Sequence, residues 1–140
     1  GCEYVLIHDG ARPMITEQMI DHIAEETVAW KACVAGMPVK DTIKVADEKG
    51  YAEATPDRSK LWQVQTPQAF SYELVRGAYD CLMQDESLQQ GITDDAMVVE
   101  SCTKQKVKLV AGSYENLKVT TQEDLVLAEA LLAHRKKAED

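Results

Sequence analysis

Tyr4-Val5-Leu6-Ile7-His8-Asp9-Gly10-Ala11-Arg12-Pro13 opens the chain with four β-prone apolar residues that stop abruptly in a polar loop. An apolar run without alternation suits a strand buried on both faces, as in the parallel sheets of α/β proteins. Downstream, Thr16 is a good N-cap for a helix over about 17–30. Met19, Ile20, Ile23, Ala24 and Thr27 share one face of it at 3.6-residue spacing. Ala32-Cys33-Val34-Ala35-Gly36-Met37-Pro38-Val39 is a second apolar strand. Strand, helix, strand makes a βαβ unit, whose crossover is right-handed.

The alternation continues toward the carboxyl end. Leu61-Trp62-Gln63-Val64-Gln65 has strand character and Thr66-Pro67-Gln68 breaks it. A helix follows over about 71–84, with Tyr72, Val75, Tyr79 and Leu82 on one side. Gln89 to Ile92 reads as loop, and Thr93 as the cap of a short helix holding Asp94, Asp95, Met97, Val98 and Val99. Val107–Val110 and the shorter Asn116–Val119 are strand candidates. Thr121 and Asp124 form a capping box for a last helix over about 122–135, packed by Leu125, Leu127, Ala128, Leu131 and Leu132. The expected fold is α/β and Rossmann-like, a mostly parallel sheet with helices on both faces in a single domain over 1–140.

Residues 40–60 differ in character. Thr42-Ile43-Lys44-Val45 and Tyr51-Ala52-Glu53-Ala54 flank the turn-like Asp47-Glu48-Lys49-Gly50 and predict a β-hairpin with too few apolar residues for a core. An isolated two-stranded ribbon is marginal in water. The hairpin is therefore expected to be an arm that packs on something else, first of all a second copy of the chain.

Composition narrows the functional classes. With 24 acidic against 15 basic residues the net charge is −9, a sign that repels nucleic-acid backbones. Arg135-Lys136-Lys137, the one basic cluster, reads as a solvated helix end. Cysteines 2, 33, 81 and 102 show no CxxC spacing, and histidines 8, 22 and 134 lie far apart. Free thiols in a reducing cytoplasm are expected, without a zinc site or disulfide framework. No apolar run approaches 18 residues, so no membrane partner is expected. Gly1 stands in place of an initiator methionine and the chain enters a strand at once, which leads us to expect that an upstream segment is absent.

Ligands of open α/β sheets sit outside the carboxyl ends of the strands. Asp9 and Arg12 follow the first strand, Lys40, Asp41 and Thr42 the second, Thr66 and Gln68 the third, and Thr120 and Thr121 the strand that carries Lys118. If these strands run parallel, one sheet edge collects cations, hydroxyls and a carboxylate, a set suited to a phosphate ester near a divalent metal. Taken singly, Asp9 also reads as a turn residue, Arg12 and Arg58 as solvated cations, and Lys118 as an outward strand lysine. The set carries the argument. The seven glycines are scattered, and none builds a GxGxxG turn or Walker A loop for a nucleotide triphosphate.

Six ordered segments resemble the 2-C-methyl-D-erythritol 4-phosphate cytidylyltransferases of non-mevalonate isoprenoid biosynthesis. They are His8–Pro13, Pro38–Lys44, Asp57–Trp62, Gln65–Phe70, Thr93–Ala96 and Asn116–Thr120. The resemblance covers essentially the whole chain, although Gly10 stands where many relatives carry alanine. It implies transfer of a cytidylyl group from CTP to 2-C-methyl-D-erythritol 4-phosphate, with release of pyrophosphate and a need for Mg²⁺. It places Asp9 and Arg12 beside the sugar phosphate, with Asp9 near the metal, and Thr66 and Thr93 on the methylerythritol moiety. It sends Thr42 and Arg58, on the 40–60 arm, into the neighbouring subunit's site in a homodimer. It gives Arg58 and Lys118 the catalytic part, holding the phosphate in line for attack on the α-phosphorus. The family's glycine-rich CTP-binding half has no counterpart here, so the chain is expected to be a partial nucleotidyltransferase domain, inactive alone. Ribitol-5-phosphate cytidylyltransferase is the nearest rival, against which Ala11, Lys40 and Leu61-Trp62-Gln63 speak. The rivals from other classes are a non-catalytic dimerisation fragment and a generic phosphosugar-binding module.

Overall fold

Burial in this chain is organised by its longest strand rather than its first. The computed structural model describes residues 1–139, with β1 (Tyr4–Ile7), α1 (Glu17–Trp30), β2 (Ala32–Pro38), β3 (Val45–Ala46) and β4 (Ala52–Ala54) in the amino-terminal part. β5 (Trp62–Ser71), α2 (Tyr72–Gln84), α3 (Asp95–Cys102), β6 (Lys108–Ala111) and α4 (Gln122–Glu139) follow. The main sheet has the order β1-β5-β2-β6. β5 runs antiparallel to both of its neighbours, and β2 pairs with β6 in parallel. Three strands therefore point one way and β5 points against them.

Pleating sends alternate residues to opposite faces. Leu6, Cys33, Ala35 and Ala69 pack with Val110 against Ile23 of α1. Val5, Ile7, Ala32 and Phe70 pack with Val75, Ala78 and Leu82 of α2 and Val98 and Val99 of α3. Helices cover both faces, as the sequence predicts. Phe70 is fully buried, and a side chain of that size contributes roughly 1.5–3 kcal/mol through the apolar area it removes from water. The Cys33 thiol is buried as well, and burial, with a smaller push from Glu26, raises its pKa against the opposing hydrogen bond from Thr27. That makes it a packing group rather than a nucleophile.

Five details depart from the expectations. Thr66-Pro67-Gln68 does not end its strand, because β5 runs on to Ser71. Between Val34↔Gln68 and Gly36↔Val64, Ala35 alone stands opposite Gln65, Thr66 and Pro67. A bulge of this kind absorbs a proline that cannot donate to the ladder. Asn116–Val119 is not a strand; its backbone ties are Asn116 N–H to Ser113 O at 3.1 Å and Val119 N–H to Ala11 O at 2.8 Å.

At α3 the cap is Asp94 rather than Thr93, since the Asp94 carboxylate reaches the Met97 amide at 2.9 Å. The Thr93 hydroxyl turns to the Met97 thioether. Along α4, Ala128, Leu131 and Arg135 form the inward stripe, whereas Leu125, Leu127 and Leu132 are 46%, 57% and 49% exposed. Arg135 is no solvated end: it donates to Met14 O at 3.0 Å and lies 4.0 Å from Glu115.

The hairpin forms where the sequence places it, as a separate two-stranded sheet of β3 and β4. Val45 and Tyr51 on it are exposed. Its root is fastened to the body: Arg58 donates to Lys40 O, Lys40 Nζ lies 3.7 Å over the Tyr114 ring, and Tyr114 donates to Pro38 O at 2.8 Å. No described helix is long and apolar enough to cross a membrane.

The capping box of α4 closes reciprocally. Thr121 Oγ1 accepts the Asp124 amide at 3.3 Å, and Asp124 Oδ2 accepts the Thr120 and Thr121 amides, both at 2.9 Å. Those backbone hydrogen bonds hold the Asp124 pKa below its ordinary value. A depressed carboxylate pKa stabilises the fold above the unfolded-state value, and the contribution fades as pH falls through the folded-state value. Asp124→Ala is therefore expected to lower the melting temperature at neutral pH. Melts recorded at stepwise lower pH should show the gap from wild type closing below the usual aspartate range. A gap that stays constant would refute this account of the cap.

Candidate functional site

One cavity of about 310 Å³ opens at the carboxyl end of β1, where β5 passes on its bulge. Asp9, Arg12, Gln65, Thr66, Gln68, Thr93, Asp94, Asp95 and Lys118 line it, together with Val64. Thr66 and Gln68 reach it from mid-strand because β5 runs past the end of β1 in the opposite sense.

Charge is concentrated on the β1 side. Asp9 Oδ2 lies 3.3 Å from Arg12 Nε and 3.4 Å from Lys118 Nζ. Arg12 is further fixed by donating to Asn116 O at 2.7 Å. The loop from Asp9 to Arg12 is closed by the Arg12 amide on Asp9 O, and Thr66 Oγ1 accepts the Asp9 amide at 3.0 Å. The same hydroxyl meets His8 Nδ1 at 2.9 Å, and His8 Nε2 faces Arg12 O at 2.9 Å. Lys118, with half of its side chain exposed, has Asp9 as its ion-pair partner and is free to swing toward an anion.

The loop that carries Lys118 is held from below by amides. Gln65 Nε2 donates to Ser113 O at 2.8 Å, and Asn116 Nδ2 donates to Thr66 O at 2.8 Å and Gln65 Oε1 at 3.2 Å. Asn116 is fully buried, and its Oδ1 is the buried side-chain oxygen left without a partner among the described residues. Any side chain at Gly112, at the start of this loop, would push the Gln65 amide from its place. A Cβ there would stand 2.5 Å from Gln65 Oε1 and 3.4 Å from Ala35 Cβ.

The far side of the cavity is the start of α3. Thr93 is exposed, and its hydroxyl has only the weak Met97 thioether acceptor at 2.9 Å. Asp95 accepts a short hydrogen bond from the Tyr79 hydroxyl. Burial, that bond, and the charges of Asp95 and then Asp94 push the Tyr79 pKa up to about 12. Tyr79 therefore stays a neutral donor across the physiological range.

Of the residues singled out from the sequence, Asp9, Arg12, Thr66, Thr93 and Lys118 come together, with Gln68 beside them. Thr42 and Arg58 do not line this cavity; both are exposed on the arm. Thr120 and Thr121 serve the α4 cap, and Lys40 serves the arm root. The sequence reading passed over Gln65, Asn116 and Tyr114 as working residues. A glutamine inside an apolar strand and an asparagine before Leu117-Lys118-Val119 were the available signals, because a polar group buried there needs partners.

The family model described as 2-C-methyl-D-erythritol 4-phosphate cytidylyltransferase (IspD) matches residues 1–134. A protein of that name from Lachnospira eligens is 52% identical over 129 residues, covering 92% of this chain and 56% of its own length. Another from Lachnoclostridium phytofermentans is 46% identical over 130 residues, covering 93% and 55%. Among solved structures, the 4-diphosphocytidyl-2C-methyl-D-erythritol synthase of Anaerococcus prevotii superposes with a TM-score of 0.82 at 37% identity, over 94% of this chain and 59% of that one. The 2-C-methyl-D-erythritol 4-phosphate cytidylyltransferase of Thermus thermophilus gives 0.82 at 34%, over 94% and 62%. The chain thus spans about half the length of the curated relatives it matches.

The Asn116 amide bonds are open to direct measurement. Asn116→Ala strands the buried acceptor Thr66 O and takes one of two donors from Gln65 Oε1, which keeps the Ser113 amide, and is expected to cost about 1–3 kcal/mol in urea denaturation. A change within a few tenths of a kcal/mol would mean that water replaces the amide without loss.

Proposed function

The chain belongs to the 2-C-methyl-D-erythritol 4-phosphate cytidylyltransferase (IspD) family, and from that membership we propose that its cavity receives 2-C-methyl-D-erythritol 4-phosphate for cytidylyl transfer from CTP. The observation that carries the proposal is the joint hold of Arg12 and Lys118 on one oxygen of Asp9, at the mouth of a cavity lined by hydroxyls and amides. Two cations resting on an internal carboxylate are ready to take a phosphate. Arg12 is fixed, and Lys118 has one contact to exchange.

In this reading Arg12 and Lys118 neutralise the phosphate of the substrate, while Thr66 and Thr93 meet its hydroxyls. Arg58 and Thr42, at the root of the arm and outside this chain's own cavity, serve the site of a second copy. Arg58 there joins Lys118 in holding the phosphate in line with the α-phosphorus of CTP. A phosphate oxygen of the sugar forms the new bond to that phosphorus, and the bond to the bridging oxygen breaks with its electron pair leaving on pyrophosphate. The attacking phosphate is already ionised at neutral pH, so no general base is needed. Placement and charge neutralisation supply the acceleration.

Mg²⁺ is the proposed cofactor. Asp9 Oδ2 is committed to the two cations, and its other oxygen enters none of the hydrogen bonds among the described residues. No group of three His, Cys, Asp or Glu residues gathers among the described residues into a full metal site. One carboxylate oxygen with phosphate oxygens and water is nonetheless an ordinary Mg²⁺ environment. When bound, the ion offsets the negative charge of the two phosphate-bearing reactants.

The sequence has no glycine-rich phosphate loop, and the chain spans about half of its relatives' length. The CTP side is therefore proposed to come from protein outside these 140 residues, which form one part of a nucleotidyltransferase domain. A homodimer built through the 40–60 arm is proposed from the exposed, separately paired β3 and β4. A cytoplasmic location is proposed from the four free thiols.

Pyrophosphate release with CTP, Mg²⁺ and 2-C-methyl-D-erythritol 4-phosphate, measured on the chain joined to its upstream half, tests the reading, with ribitol 5-phosphate as the control substrate. Turnover is expected with the methylerythritol substrate alone. Arg58→Ala and Lys118→Ala are each expected to lower it about 10²–10³-fold with little change in melting temperature. Near-normal turnover of Arg58→Ala would remove that residue from the reaction.

The arm is tested separately. Native mass spectrometry of the 140-residue chain should find a dimer, and removal of 44–55 should leave a folded monomer. A dimer that survives the deletion places the interface elsewhere.

A further inference from the structure

Gln68 is polar, 2% exposed and committed at both ends of its amide. Oε1 accepts the Ala96 amide at 2.9 Å, and Nε2 donates to Asp94 Oδ2 at 3.0 Å and, more loosely, to Gln65 O at 3.4 Å. Asp94 spends its other oxygen on the Met97 amide. Gln68 and Asp94 together thus hold the first turn of α3 to the bulge of β5.

That turn forms one side of the cavity. Thr93, Asp94 and Asp95 line it there, facing the side that holds Asp9, Arg12 and Lys118. The two sides differ in chemistry. One presents cations, and the other presents a hydroxyl and carboxylates, the acceptors that sugar hydroxyls need. A helix terminus docked only by apolar contacts tolerates small slides. A buried amide used as both donor and acceptor does not, because a slide leaves one of its groups without a partner.

We infer that Gln68 is a positioning residue that fixes Thr93 and the start of α3, and so makes the cavity select a polyol phosphate over bare phosphate. The inference rests on the reading of the cavity given under the proposed function. Gln68 itself belongs to the wall and moves no proton. Its effect reaches the ligand through Thr93 and the α3 turn, leaving the Arg12–Asp9–Lys118 side untouched.

Calorimetric titration of the 140-residue chain with 2-C-methyl-D-erythritol 4-phosphate, and separately with inorganic phosphate, tests it. Wild type should bind the polyol phosphate more tightly than inorganic phosphate. Gln68→Met, similar in volume and unable to make either strong contact, should weaken the polyol phosphate about tenfold and leave inorganic phosphate within about twofold. Gln68→Glu keeps the acceptor for Ala96, loses the donor to Asp94, and should shift the ratio in the same direction. It decides the matter if the methionine variant does not fold. Equal losses for both ligands, or a lowered melting temperature with an unchanged ratio, would make Gln68 a purely structural residue and overturn the inference. A wild-type chain that binds neither ligand overturns the reading of the cavity, and this inference with it.

Discussion

A buried amide lock between β5 and the loop after β6 sets the rest of this structure. Gln65 and Asn116 exchange hydrogen bonds with each other and with the backbone at Ser113 and Thr66. Polar groups withdrawn from water are costly without partners, and all but Asn116 Oδ1 find one here, so such a network admits few alternative geometries. The charged groups on the β1 side of the cavity hang from it. Arg12 is aimed by the Asn116 carbonyl, Lys118 stands two residues beyond Asn116, and Asp9 is held by the hydroxyl of Thr66. The lock also explains Gly112, whose missing side chain leaves room for the Gln65 amide.

The lock exists because β5 is irregular. A regular antiparallel strand would pair every residue with β2 and send Gln65 and Thr66 to opposite faces of a closed ladder. The bulge at Gln65–Pro67 frees them from that ladder and turns them toward the loop and the cavity. Gln68, just past the bulge, does the same for α3. A single local defect in the longest strand thereby coordinates three segments far apart in sequence. The core on either side, centred on Phe70 and on Ile23 with Ala69, makes the strand too well anchored to slip out of register.

How much of this the sequence discloses follows from the range of the interactions. β1, α1 and β2 are legible because apolar continuity, a cap and 3.6-residue spacing are local signals, and each element forms within a residue or so of its expected bounds. The capping box at Thr121 and Asp124 is equally local. β5 is misread at Thr66-Pro67-Gln68 because a proline is a reliable local stop, and only pairing with distant Val34 and Gly36 shows that the strand resumes. Asn116–Val119 alternates like a strand but spends its polar groups on Arg12, Gln65 and Thr66 instead of a neighbouring ladder. The cavity residues were found as a set because motifs keep their order in sequence. The amides that orient them were not, since nothing local separates a solvated glutamine from a buried one.

The hairpin arm has a consequence of another kind. It shares no ladder with the main sheet and touches the body chiefly at its root, through Arg58, Lys40 and Tyr114. Such a segment is its own cooperative unit: its amides can open to solvent at a free energy far below that of global unfolding. Any ordering entropy that such a segment keeps in the isolated chain would become a cost charged at the proposed assembly. In the dimer proposed above, the surface that receives the arm would set two things at once, the concentration at which the protein assembles and the rigidity with which Arg58 is presented.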